Sequence, residues 1–304
     1  MAKQRIKATK TNEFASIDPL PRMSSQRDLD LVTRVADALP PKAKIVELGP
    51  WLGALSEILA TRGELHVVDT FVWTEDHNKR VPNMLNPGDS FQSVYEQLMA
   101  QRGLKVSVSQ ADFEAFRWSG GPIALCVIDA PKKPKAMRDA LLAVLDGLNP
   151  GARLLIKNAN HPKYFALMAF LQALVSRGAI AVSEADADGA CNTVAFDVGL
   201  EAEALRGVLE DTPLDTEPRA ALADGGLGGL GPYQLALICE LIKQGVWAEA
   251  YEVLGRMQSS RRMLREWDRL EAELAKTGAD PEQLAWFAEI MSLQHSKGGL
   301  PDPP

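Results

Sequence analysis

The chain has 304 residues, 46% hydrophobic and 24% charged, ordinary globular values with enough apolar material for a sizeable core. Its formal net charge of -7 argues against a general nucleic-acid binder, which carries a basic excess. No apolar run reaches the roughly 18 residues that a membrane span requires.

Residues 1–23 are polar and proline-bearing, with Lys3, Arg5, Lys7 and Lys10 but no apolar centre like that of a signal peptide. They are expected to form a flexible, solvated arm. Ser24 and Ser25 offer caps for a helix carrying Leu29, Leu31, Val32, Val35, Ala36 and Leu39, stopped by Pro40-Pro41. A strand over about 43–48 then runs into Glu47-Leu48-Gly49-Pro50-Trp51-Leu52-Gly53 and a helix-like segment, 54–61. A second apolar run, Leu65-His66-Val67-Val68, ends in Asp69, twenty-two residues after Glu47. Strand, tight glycine turn, helix, strand and acid make one half of a nucleotide-binding α/β unit. Glycine lets backbone approach a ligand closely, and a carboxylate can accept both ribose hydroxyl protons.

Between Val72 and Gly88 lies a polar insertion containing His77, expected as a long loop that is functional or mobile. A helix over 90–102 leads to a third strand, 104–109, followed by Gln110-Ala111-Asp112. The fourth strand, 123–128, is apolar throughout, as in a parallel strand buried on both faces, and ends in Asp129. Helix 134–147, strand 153–157 and helix 162–177 follow. Two strands, 179–184 and 192–198, then come with only the turn Asp186-Ala187-Asp188-Gly189 between them.

The main domain is thus expected over 24–198. Residues 199–231 are acidic, with Pro213, Pro218 and a glycine-rich end, and are expected as a linker. Residues 232–304 read as helices only, over 232–244, 247–258, 260–277 and 281–294: a small all-α appendage. Its first pair resembles one tetratricopeptide-type hairpin, though one pair does not establish an array. The appendage is read as a surface for a homodimer or a protein partner. Cys126, Cys191 and Cys239 lie far apart in apolar surroundings, which fits buried free thiols in a cytoplasmic protein better than disulfides or a zinc site.

Five alternating units closed by a hairpin resemble the class I S-adenosylmethionine-dependent methyltransferases. The resemblance implies an α/β, Rossmann-like, doubly wound seven-stranded sheet with a C-terminal antiparallel hairpin, and S-adenosyl-L-methionine as cofactor. It places Glu47, Gly49, Trp51 and Gly53 along the cofactor, with Pro50 and Trp51 standing where small residues are more usual. Asp69 matches the ribose-binding acid, and Asp112 and Phe113 the pair that meets the adenine. Trp51 is read either as a pocket wall or as a packing residue under the sheet.

A narrower resemblance is to the bacterial sugar O-methyltransferases of the macrocin O-methyltransferase-like group. It rests on Val67-Val68-Asp69-Thr70-Phe71, the His77-bearing insertion, Gly88-Asp89-Ser90-Phe91 and Asn192-Thr193-Val194-Ala195-Phe196. It implies a small sugar-type acceptor. That group carries further acids after its fourth and fifth strands. This chain has Pro131-Lys132-Lys133-Pro134-Lys135 after Asp129, and Lys157-Asn158-Ala159-Asn160-His161. No metal site is expected, since a hard cation wants several carboxylate oxygens. Lys132 and Lys133 suit an anionic acceptor instead, or form only a solvated face.

Methyl transfer from a sulfonium is an in-line displacement, so the protein positions the acceptor and helps remove its proton. Ligands of an open α/β sheet lie outside the carboxyl ends of the strands. The catalytic candidates are therefore Asp129, His161 and His77. Their structural alternatives are a helix cap, a surface turn residue and a solvated loop residue. Two other functions stay open: a catalytically degenerate methyltransferase-like domain used for binding or interaction, and a NAD-dependent oxidoreductase. The second is disfavoured by the missing Gly-x-Gly-x-x-Gly spacing and by the closing hairpin.

Overall fold

A computed structural model describes residues 17–129, 131–186, 191–222, 225–256 and Ala285. The arm before residue 17, the Ala187-Asp188-Gly189 turn and, apart from Ala285, the helices expected over 260–277 and 281–294 lie outside the described residues. The described residues fall into two compact units, one within Met1–Phe116 and Ile123–Asp129, the other within Arg117–Pro122 and Ala130–Pro304.

The first unit opens with α1 (Gln26–Asp37). Ser25 Oγ accepts from the Asp28 N–H, and the Asp28 carboxylate accepts from the Ser25 N–H, a reciprocal cap that satisfies two orphan donors. The helix buries Leu31, Val32, Val35 and Ala36, its apolar stripe. There follow β1 (Lys44–Leu48), α2 (Ala54–Ala60), β2 (Glu64–Asp69), α3 (Glu75–Arg80), α4 (Gln92–Gln101), β3 (Val106–Gln110) and β4 (Leu125–Ile128). β1 pairs in parallel with β2 and with β4, and β2 with β3.

Register decides what these strands present. Leu48 stands opposite both Val68 and Ile128. Just beyond, the Gly49 N–H donates to Val68 O (3.0 Å) and the Asp129 N–H to Leu48 O (2.8 Å). Gly49, Asp69 and Asp129 therefore emerge level at the carboxyl ends of three adjacent strands.

The second unit comprises α5 (Pro134–Val144), β5 (Arg153–Ile156), α6 (Phe165–Ser176), β6 (Ile180–Glu184), β7 (Val194–Val198), α7 (Ala202–Asp211), α8 (Gly231–Lys243) and α9 (Trp247–Arg256). β7 runs antiparallel to both β5 and β6. The seven strands form one sheet in the order β3-β2-β1-β4-β5-β7-β6. The doubly wound sheet with a terminal antiparallel hairpin, expected from the sequence, is the fold that forms.

Two segments differ from expectation. The insertion after β2 is not all loop: Thr74 caps α3, and Val72 makes a bridge to Ser90. The stretch read as a linker contains α7, which buries Leu205 and Leu209. Four residues apart, those leucines share one helix face, and that face outweighs the acidic composition. Its glycine-rich end is also packed, since the Gly228 N–H donates to the buried Gln172 side chain (3.1 Å). α8 buries Tyr233, Leu237 and Leu241; the Tyr233 hydroxyl donates to Ala221 O (2.7 Å), and its ring lies 6.3 Å from that of Phe165. Among the described residues, no helix is long and apolar enough to cross a membrane.

Candidate functional site

The turn leaving β1 is held in left-handed backbone at three places, Gly49 (φ 85°), Trp51 (φ 45°) and Gly53 (φ 88°). Gly53 precedes the first residue of α2, and its N–H donates to Pro50 O (2.9 Å). A β-carbon there would stand 2.3 Å from Met99 Cε and 3.2 Å from Tyr95 Cε2. The missing side chain thus makes room for α4, in addition to freeing the backbone. Glu47 is wholly buried and accepts from Ser56 Oγ at 2.6 Å, which ties the end of β1 to α2. Burial first, and then the charge on Glu47, push the Tyr95 phenol far above its ordinary range; the Ser56 hydroxyl acts the other way. Ser56 and Tyr95 were not among the residues singled out from sequence.

Asp69 ends β2 half-buried, its Oδ1 accepting from the Phe71 N–H (2.6 Å) and from Thr70 Oγ1 (3.3 Å). Burial raises its pKa above 3.8, the Phe71 and Thr70 hydrogen bonds oppose the shift, and the charge on Asp129 adds to it. The two carboxylates therefore sense each other across the end of β1. Asp112 is exposed; it caps a turn, its Oδ1 accepting from the Glu114 N–H (2.9 Å) and its carbonyl from Ala115 and Phe116. Phe113 beside it is half-buried.

The insertion carries an aromatic cluster. The ring of Trp73 lies 4.9 Å from His77 and 5.9 Å from Phe91, and His77 lies 6.0 Å from Trp51 at an interplanar angle of 34°. His77 Nδ1 accepts from the Thr74 N–H (3.1 Å), closing the cap of α3. A neutral ring with Nδ1 so engaged carries its proton on Nε2 and offers a donor there. Burial lowers the His77 pKa below 6.5, and Asp76 opposes the shift.

In the second unit, His161 opens the short 3-10 turn Pro162–Tyr164, and its Nδ1 accepts from the Lys163 N–H (3.2 Å). The same logic puts its neutral-state proton on Nε2. In both histidines Nδ1 accepts from a backbone N–H, of Thr74 for His77 and of Lys163 for His161. Asn160, wholly buried, donates to Asp186 O (2.7 Å) and Cys191 O (3.2 Å), fixing the exit of β5 to the β6–β7 connection. Lys157 is buried, 6% exposed, where the resembling group carries an acid. Lys132 and Lys133 are exposed just before α5, whose first turn has no acidic residue. Cys126 and Cys191 are buried, and Cys239 is half-buried. Among the described residues, no group of three or more His, Cys, Asp or Glu side chains is placed to hold a metal ion.

No protein-family model matches this chain, and no curated protein does. Solved structures do. The chain is similar to the N-methyltransferase NodS from Bradyrhizobium japonicum in complex with S-adenosyl-l-homocysteine: 16% identity, 57% of this chain and 87% of that one, TM-score 0.38. It is similar to an rRNA methylase from Streptococcus thermophilus, at 15% identity over 58% of this chain and 95% of that one, TM-score 0.38. It is also similar to an amino pentose methyltransferase from Micromonospora echinaspora with SAM bound, at 19% identity over 46% of this chain and 52% of that one, TM-score 0.32. At such identities the likeness concerns the fold alone.

Proposed function

We propose that the chain is an S-adenosylmethionine-dependent methyltransferase that O-methylates a small, sugar-type acceptor. The observation that carries this reading is the left-handed turn Gly49–Gly53 leaving β1 level with two mutually sensed carboxylates, Asp69 and Asp129. A pyrophosphate brought to that place would meet two like charges, whereas a sulfonium would meet two opposite ones. That electrostatic sign favours the sulfonium cofactor over a nicotinamide dinucleotide. The residues fit such a group: Asp69, braced by the Phe71 N–H, suits a ribose diol, and the turn with Trp51 suits the remainder.

When bound, the cofactor supplies an electrophilic methyl group. Asp129 is the residue we assign to take the acceptor's proton. His77, as an Nε2–H donor, orients a hydroxyl oxygen of the acceptor.

Calorimetry with S-adenosylhomocysteine and with NAD tests the cofactor: the first should bind and the second should not. No binding of S-adenosylmethionine or S-adenosylhomocysteine at millimolar concentration refutes the reading. Labelled-methyl transfer to a panel of sugars tests the reaction, and Asp129→Asn should slow it while leaving cofactor affinity intact. A second reading, a binding module without turnover, is favoured by one observation: Lys157 is buried where the resembling sugar methyltransferases carry an acid. Tight cofactor binding with no transfer to any acceptor would decide for it.

A further inference from the structure

β3 and β6 stand at the two ends of the strand order, so each has one side without a neighbouring strand. Such a side presents N–H and C=O groups that template pairing with another chain, and natural edges are blunted by bulges, proline or charge. β6 is blunted: its register with β7 shifts between Val182 and Glu184, an irregularity of the kind that bends a strand. β3 is not. Val106-Ser107-Val108-Ser109-Gln110 pairs with β2 in an unbroken parallel register and contains no proline, glycine or charged residue.

Parity along β3 decides which groups face outwards. The Ala111 N–H donates to Asp69 O (2.9 Å), so Ala111 faces β2, and at every second position before it so do Ser109 and Ser107. The main-chain groups of Val106, Val108 and Gln110 therefore point away from β2. Among the described residues, no backbone hydrogen bond reaches those outward groups. The set is centred on Val108, so a twofold axis beside Val108 carries it onto itself. In an antiparallel copy Val108 meets Val108, and Val106 meets Gln110, each a pair that exchanges both N–H···O bonds. The same register brings the exposed Lys105, where the chain enters β3, beside the exposed Asp112 and Glu114 that follow the strand in the second copy. Positive meets negative at both ends.

We propose that β3 is the edge at which two copies of this chain associate, antiparallel, through the outward groups of Val106, Val108 and Gln110. A second copy is the occupant because it alone supplies the matching ladder and the opposite charge at both ends in one register. The inference stands independently of the methyltransferase reading, and it puts the contact between copies on the sheet rather than on the helices of 232–304. Five residues make a short ladder. A contact of this length belongs with weak, transient interfaces, so dissociation at about 10–100 μM is expected.

Sedimentation of the full chain from about 1 to 300 μM, a range that brackets such affinities, should show the mass rising from one copy toward two. Val108→Pro removes an outward N–H, which an edge strand tolerates, and should weaken association at least about 10-fold while cooperative melting is kept. Lys105→Glu should weaken it about 5-fold at low salt and less at high salt. Hydrogen exchange of the wild type carries the test alone if Val108→Pro does not fold. With rising concentration the amides of Val106, Val108 and Gln110 should gain protection, while those of Ser107 and Ser109, held by β2, should not change. A wild type that keeps the mass of one copy at the highest concentration overturns the proposal. Association undiminished in Val108→Pro does so too, and so does exchange at Val108 that is independent of concentration.

Discussion

Gly53→Ala probes the turn most directly, because two separate costs can be read from its surroundings. The backbone there has φ 88°, where an L-residue pays about 1–2 kcal/mol. The new β-carbon would also fall 2.3 Å from Met99 Cε, the free end of a flexible side chain, and 3.2 Å from Tyr95 Cε2 on a buried ring. Moving the methionine end aside costs roughly 1–2 kcal/mol of repacking. The expected loss is thus about 2–4 kcal/mol, a large fraction of the 5–15 kcal/mol that typically holds a domain together. Urea unfolding should show a lower midpoint with an unchanged slope. A Met99→Ala background separates the two costs. There the substitution should lose its steric part and retain only the backbone part, a coupling of about 1 kcal/mol or more. An effect below about 0.5 kcal/mol in the wild-type background would refute the left-handed turn as a fixed feature. Equal effects in both backgrounds would refute Met99 as the obstacle.

Ser56→Ala removes the 2.6 Å bond to the wholly buried Glu47 and should cost about 1.5–3 kcal/mol in chemical denaturation, the range for a hydrogen bond to a charged group. For Asp69, burial raises the pKa above 3.8, so the ionised form is disfavoured by folding. Its cost is absent below 3.8 and grows as pH rises through the raised value, so Asp69→Asn should gain relative stability across that window in melting curves at stepped pH. His77 has the opposite sense: its neutral form is favoured, so stability is full above 6.5 and falls as pH drops through the lowered folded value. Protonation would also set an Nδ1–H against the Thr74 N–H, and His77→Phe should erase that part of the acid limb, as measured by melting temperature between pH 7 and pH 5.

Much of this geometry was legible because parallel strands buried on both faces write themselves as unbroken apolar runs. Leu125–Ile128 is such a run and so, Glu47 apart, is Ile45–Leu48, and Asp129, just past the first, is one of the residues proposed for the site. The closing hairpin was legible for a related reason, two strands with no helical period between them. Side-chain partners were not. Ser56 meets Glu47 only because the left-handed turn folds α2 back beside β1, and no local pattern encodes that distance. The histidine protonation states depend on which ring nitrogen faces backbone, which composition does not carry. The packing of Met99 and Tyr95 against Gly53 was not legible either, since both lie on a distant helix. The hidden α7 was a matter of averaging: acidic residues dominated the window, while Leu205 and Leu209 at four-residue spacing held the signal.

The placement of β7 between β5 and β6 has a consequence for biosynthesis. β5 leaves the ribosome well before its antiparallel neighbour, since Val194 is paired with Ile156 and the whole of α6 and β6 is translated between them. During that interval β5 displays a bare edge of unpaired amides and carbonyls, a template for wrong pairing with another nascent chain. The β1 edge that takes β4 waits longer still, through α2, β2, α3, α4 and β3, but its pairing is complete by Ile128. Any shortened version of this protein that stops before Val198 should therefore be prone to inclusion bodies, however intact its glycine turn.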